Sequence, residues 1–159
     1  MSLVWSEAMS LEMPAMDEAH EEIVDQLALV ESASDDTLLE AWNALIDQTA
    51  EHFGEEDRWM QATGFAPDNC HSSQHAIVLK IMREGAEKCA KGDLAIVRQM
   101  AYELTVWLPH HVSAMDAGLA LHLKSVGFDP KTGQVDNPEA LPSTALTSCR
   151  SEPCEDHAD

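Results

Sequence analysis

Residues 38–60 read LLEAWNALIDQTAEHFGEEDRWM, and this stretch decides the fold class. Leu38, Trp42, Leu45, Thr49, His52, Glu56 and Met60 recur in threes and fours, the spacing of one face of an α-helix. The face is not apolar throughout. His52 and Glu56, four residues apart, are separated by about 40° around a helix axis and so stack on the same inner side. Ser34 is the expected start of this helix, with Asp35 and Asp36 in a first turn where the dipole favours anions. Its expected end is near Gly64, with Pro67 in the loop beyond.

The same period extends to both sides. A first helix is expected from about Asp17, as N-cap, to Glu31, with Ile23, Val24, Leu27 and Val30 on the face that also carries His20. Asp68 or Asn69 is the expected cap of a third helix, whose inner stripe is His71, His75, Val78, Met82 and Ala86. Gly92 closes it and Asp93 opens a fourth, with Val97, Ala101, Leu104, Leu108, His111 and Met115 on one face and Gly127 and Pro130 as stops. Pro109 removes one backbone donor inside that helix, so a kink near Thr105 to Pro109 is expected. No alternating strand pattern competes. Four amphipathic helices joined by short connections give an all-α, antiparallel up-down four-helix bundle. Residues 1–16 read as an N-terminal arm packed through Trp5. The expected organisation is one domain over 1–128 and an acidic, flexible, disordered tail over 129–159, rich in Pro, Ser and Thr.

Charge excludes several partner classes. The 159-residue chain carries a formal net charge of -20. Such a surface repels phosphate backbones and anionic lipid heads, so neither nucleic acid nor a membrane is an expected partner, whereas a basic protein could be attracted. No apolar run reaches the ~18 residues of a membrane span, and no secretory leader is evident. The four cysteines form no dense framework, which fits a reduced cytoplasmic protein, expected as a monomer.

Seven residues carry the chemistry: His20, His52, Glu56, His71, His75, His111 and Asp116. They fall on all four helices at H…HxxxE…HxxxH…HxxxxD spacing. A carboxylate left unligated in a bundle core is costly, and metal ions would satisfy all seven groups together. Imidazoles and carboxylates without thiolate suit iron better than a structural zinc site. Two metals bridged by two carboxylates would leave three histidines on one and two on the other. Asp116 lies five residues after His111, about 140° round a regular helix. It would reach the same metal from the side or through a π-type turn.

Around these ligands stand Trp5, the run Asp17-Glu18-Ala19-His20, the run His52-Phe53-Gly54-Glu55-Glu56, and Trp107-Leu108-Pro109-His110-His111 ahead of Asp116. On these residues the chain resembles the hemerythrin family, in its single-domain bacterial form, over about residues 3–126. The resemblance implies two iron ions with an oxo or hydroxo bridge. His71, His75 and His111 would hold one iron and His20 and His52 the other, with Glu56 and Asp116 bridging. It implies dioxygen as the ligand, bound reversibly as a hydroperoxide at the two-histidine iron, by a carrier, store or sensor without catalytic turnover. Reversibility needs a dry pocket, and Ile23, Phe53, Trp107 and Val112 beside the ligands are its expected lining. The alternative is a di-iron enzyme reducing dioxygen, peroxide or nitric oxide, or an iron-handling protein.

The remaining groups are expected to do less. His110 points about 100° from its neighbouring ligand and reads as a surface residue. His122 reads as helix-end packing, and Asp17 as a cap or a partner for His20. Cys70 reads as a semi-buried free thiol, and Cys149, Cys154 and His157 as a loose set in the tail.

Overall fold

A computed structural model describes residues 2–149. Its main elements are α1 (Pro14–Ser32), α2 (Leu38–Ala62), α3 (Cys70–Ala90), α4 (Leu94–His111) and α5 (Ala117–Ser125), with a π-helical turn at Val112–Asp116 between the last two. α4, the π turn and α5 form one uninterrupted helical rod. Each helix packs on its neighbours in the ring α1, α2, α3, α4, so the expected up-down bundle is what the chain forms.

The helix starts show which local signals decide. Asn69 caps α3 by a reciprocal pair, its Oδ1 accepting Ser72 N–H at 2.9 Å and its own N–H reaching Ser72 Oγ at 3.1 Å. Asp93 caps α4 through Ile96 N–H at 3.3 Å. Two expected starts are corrected. α1 begins three residues before Asp17, at Pro14, whose fixed φ and missing N–H suit a first helical position. Asp17 instead accepts Ser10 Oγ–H at 2.7 Å and Leu11 N–H at 2.9 Å, fastening the N-terminal arm. α2 begins at Leu38, because Ser34 opens a separate turn in which its carbonyl accepts Thr37 N–H at 3.1 Å.

Two apolar clusters fill the interior. One, at the α1/α2 connection end, includes Leu27, Leu38, Trp42, Leu45, Met82 and Val97, with Trp5 packed on its rim. Trp42 is fully buried, and its indole N–H donates to the Met82 carbonyl at 2.9 Å. The other, at the opposite end, includes Met16, Met60, Phe65, Leu119, Leu123 and Phe128. The polar layer of histidines and carboxylates lies between them.

The segment expected to be disordered from residue 129 is held against the second cluster as far as 149. Phe128 and Val135 pair across an antiparallel bridge, and Val135, Leu141, Leu146 and Cys149 pack on the apolar cluster. Leu146 N–H donates to Gly64 O at 2.9 Å, and Ala66 N–H returns a bond to Leu146 O at 2.8 Å. These apolar residues are irregularly spaced, so no helical or strand period betrays them. Gly64 has φ +98°, and a Cβ there would sit 2.4 Å from Pro142 Cγ, so glycine permits both the backbone turn and the close approach of this strap. Cys154 and His157 lie outside the described residues.

Candidate metal centre

Four helices deliver one or two groups each to a single layer. His20 comes from α1, His52 and Glu56 from α2, His71 and His75 from α3, His111 from α4 and Asp116 from the π turn. All seven are buried, Glu56 and Asp116 completely. Asp116 reaches the layer through the wide turn. Ala117 N–H bonds Val112 O, an i to i−5 step that places residues five apart on one face. Pro109 lies just upstream, inside α4.

The carboxylates divide their oxygens between two groups of histidines. Glu56 Oε1 lies 3.0 Å from His52 Nε2 and 3.9 Å from His20 Nε2. Glu56 Oε2 lies 3.3 Å from His75 Nε2 and 3.4 Å from His71 Nε2. Asp116 repeats the pattern: Oδ2 is 3.0 Å from His20, while Oδ1 is 2.9 Å from His71 and 3.1 Å from His111. Two sets of potential ligands result, each with all its donor atoms within 4.8 Å: Glu56, His71, His75, His111 and Asp116, and His20, His52, Glu56 and Asp116.

These contacts are short but are not hydrogen bonds in direction. Among the described residues, both oxygens of both carboxylates, and Nε2 of His20, His52 and His75, have no hydrogen-bond partner. The lone pairs converge on shared points rather than on each other. Leaving this many buried polar atoms unsatisfied would cost several kcal/mol, and cations at the two points would satisfy them together. The donor set therefore fits two metal ions.

Electrostatics shows what such ions would replace. Burial acts to raise the Glu56 pKa, but His52, His71 and His75 hold it well below the carboxylate range. Burial and Glu56 act to raise Asp116, yet His111 and His20 keep it low. Burial works against charge on His71, but the nearby carboxylates of Asp116 and Glu56 and the Cys149 sulfur push its pKa up to about 12. His52 is likewise raised by Glu56 and Asp116 despite burial. Burial holds His111 below its ordinary value even with Asp116 beside it.

The outer nitrogens separate the two halves. His75 Nδ1 meets Asp57 Oδ1 at 2.9 Å, His111 Nδ1 meets Gln74 Oε1, and His71 Nδ1 meets Cys149 Sγ at 3.3 Å. Nδ1 of His20 and of His52 has no partner among the described residues, so Asp17 does not orient His20. Asp57 and Gln74 were missed in the sequence, although each adjoins a candidate ligand and is polar, which is the signal that could have found them. Nothing in the sequence could have found Cys149.

Beside the layer is a cavity of about 10 Å³, roughly the room for one water-sized ligand. Ile23 on α1, Thr49 on α2, Val78 on α3 and Leu108 on α4 line it. Each lies one turn from a candidate ligand, forward on α1 and α3 and backward on α2 and α4, as antiparallel helices require. Phe53 and Trp107 also line it. Phe53 stacks on His75 with centroids 3.9 Å apart, and Trp107 on His111 at 4.5 Å. Val112 is buried in the adjoining apolar cluster and is not part of the lining. Thr49 supplies the only side-chain hydroxyl in the lining, which sequence reasoning had placed on the inner face without a role.

Three other expectations can be placed. His110 is exposed. His122 packs at the helix end, its Nε2 2.8 Å from Thr63 O and its ring against Phe65. Cys70 is disulfide-bonded and not a free thiol, whereas Cys89 and Cys149 are free.

This bundle with its layer of histidines and carboxylates is of the hemerythrin type. The family model for the hemerythrin HHE cation binding domain matches residues 13–121, and the chain belongs to that family. A bacteriohemerythrin of Ralstonia nicotianae is 37% identical over 127 residues, covering 80% of this chain and 93% of that protein. A bacteriohemerythrin of Pseudomonas paraeruginosa is 24% identical over 120 residues, covering 73% of this chain and 78% of that protein. No solved structure matches the chain. Among the described residues, no helix is long and apolar enough to cross a membrane.

Proposed function

We propose that this protein binds dioxygen reversibly at a non-haem di-iron centre, as a carrier, store or sensor. His71, His75 and His111 would hold one iron and His20 and His52 the other, with Glu56 and Asp116 shared. One observation carries the reading: each buried carboxylate turns one oxygen toward each histidine group. A pair of bridged ions accounts for that split, and a single ion does not. Similarity to bacteriohemerythrins supports iron and dioxygen as the pair of ligands.

When bound, two irons would supply the reversible two-electron chemistry that dioxygen binding needs. The rest is the work of the chain. The two-histidine group has one imidazole fewer than its neighbour, which would leave a metal held there with a position for a small ligand. Ile23, Phe53 and Trp107 exclude water beside the ligand layer, and Val112 belongs to the adjoining apolar cluster. Apart from the Thr49 hydroxyl and the Trp107 indole, the lining offers no polar side chain to deliver a proton. Such a lining favours release of the ligand intact over its reduction.

Oxygen uptake by the reduced, iron-loaded protein tests the reading. One dioxygen consumed per two irons, and recovered under vacuum, is expected. Continuing consumption would replace binding with catalysis.

A further inference from the structure

We propose that Cys149 is a positioning residue for the metal centre. Its sulfur accepts the Nδ1–H of His71, which fixes the tautomer and ring direction that turn Nε2 toward the metal. The inference rests on the reading of His71 as a ligand.

Three independent features lead to this contact. In the three-histidine group each imidazole has an outer partner from a different place in the chain. His75 has Asp57, His111 has Gln74, and His71 has the Cys149 sulfur at 3.3 Å. With Nε2 directed at Glu56 and Asp116, a neutral His71 must carry its proton on Nδ1 and donate it outward. Sulfur is a weak acceptor, but it is the partner His71 has there.

The strap is also fastened immediately before the cysteine. Leu146 exchanges two backbone hydrogen bonds with Gly64 and Ala66, and Cys70 N–H donates to Thr147 O at 2.8 Å. Cys70 directly precedes His71, so ligand and partner are tied by adjacent residues.

Finally, the helix makes room for it. Gly118, in α5 two residues after Asp116, has Cys149 against it: a Cβ there would lie 2.6 Å from Cys149 O and 3.3 Å from Cys149 Cβ. Glycine inside a helix is unfavourable without a packing reason, and this contact supplies one. Together the tether and the glycine seat the backbone at residue 149 closely beside the layer, where its side chain meets His71. Cys149 lies beyond residue 121, where the family model ends, so the contact is not part of the matched domain.

An outer partner raises imidazole basicity and holds the ring, and losing one weakens metal retention by about 10–100-fold. The test uses full-length, iron-loaded wild type, Cys149→Ala, Cys149→Ser and Gly118→Ala. Iron release to a ferrous chelator and the midpoint potential are measured on each. Cys149→Ala is expected to release iron about ten-fold faster and to shift the potential upward, since a less basic imidazole stabilises ferric iron less. Cys149→Ser restores an acceptor and is expected to stay near wild type. Gly118→Ala, which displaces the strap, is expected to behave like Cys149→Ala. Wild-type release and potential in Cys149→Ala, or a serine variant as impaired as the alanine one, would overturn the positioning role. Fewer than two irons in the wild type would overturn the ligand reading and this inference with it.

Discussion

Asp116 follows His111 by five residues, yet its Oδ1 lies 3.1 Å from His111 Nε2. On a regular helix the two would point about 140° apart. The π turn at Val112–Asp116 closes that angle and lets one carboxylate face both histidine groups. Asp116→Asn keeps the shape and removes the shared charge. Its iron content should fall below two per chain, while its helical circular dichroism stays that of wild type. Two tightly held irons in the variant would show that Asp116 is not shared between them.

Metal removal should be costly to stability. Nine buried nitrogen and oxygen atoms in the layer have no hydrogen-bond partner among the described residues. Ions that bind only the folded state stabilise it by mass action. The metal-free protein should melt on the order of 10 °C below the loaded one, given roughly 2–4 °C per kcal/mol for a chain of this size. Coincident melting curves would contradict the two-ion fit.

Loading should also depend on pH. His71 is held protonated, with its pKa pushed up to about 12, by Asp116, Cys149 and Glu56 against the effect of burial. A ligand imidazole must be neutral, so metal has to displace that proton. Because this pKa is raised on folding, the associated stability of the metal-free state is present below about 6.5 and declines as pH rises toward about 12. Metal affinity moves the opposite way and should increase with pH over that range. Titrating metal into weakly buffered apoprotein should release protons, and a pH-independent affinity with no proton release would refute the exchange.

The outer partners should matter unequally. Asp57→Ala removes the acceptor at 2.9 Å from His75 Nδ1 and should weaken metal binding by about 10–100-fold in chelator competition. Arg58→Ala, at an exposed neighbouring position, should leave affinity unchanged. Equal affinities in both variants would mean that Asp57 does not orient His75.

How much of this was legible depends on the kind of signal. His52 with Glu56, and His71 with His75, repeat the helical period, so their helices and shared layer could be read directly. Asp116 broke the period, and its mismatch with His111 itself pointed to a π turn as one solution. Helix starts were less secure, because Asp17 and Ser34 are good caps in isolation but are used by the arm and by a separate turn. The strap and its Cys149 contact depend on residues more than seventy positions apart, paired through tertiary structure that no local pattern encodes.

Phe53 and Trp107 combine two positions, against the cavity and against the His75 and His111 rings. Phe53→Ala and Trp107→Ala should admit water and shorten the lifetime of the oxygenated protein several-fold, at a stability cost of about 3–5 kcal/mol for the buried Phe53 and less for the partly buried Trp107. Phe53→Leu keeps an apolar plug and should fall between. Lifetimes equal to wild type in both alanine variants would remove the water-excluding role.

Reversible binding can be observed in one cuvette. The iron-loaded protein is reduced without air, oxygenated and then purged with argon, while its visible absorption is followed and its iron counted per chain. Two irons and a charge-transfer band that rises with air, falls on purging and rises again are the expected result. A band that never forms, or that decays within seconds to a stable oxidised spectrum, would contradict reversible dioxygen binding.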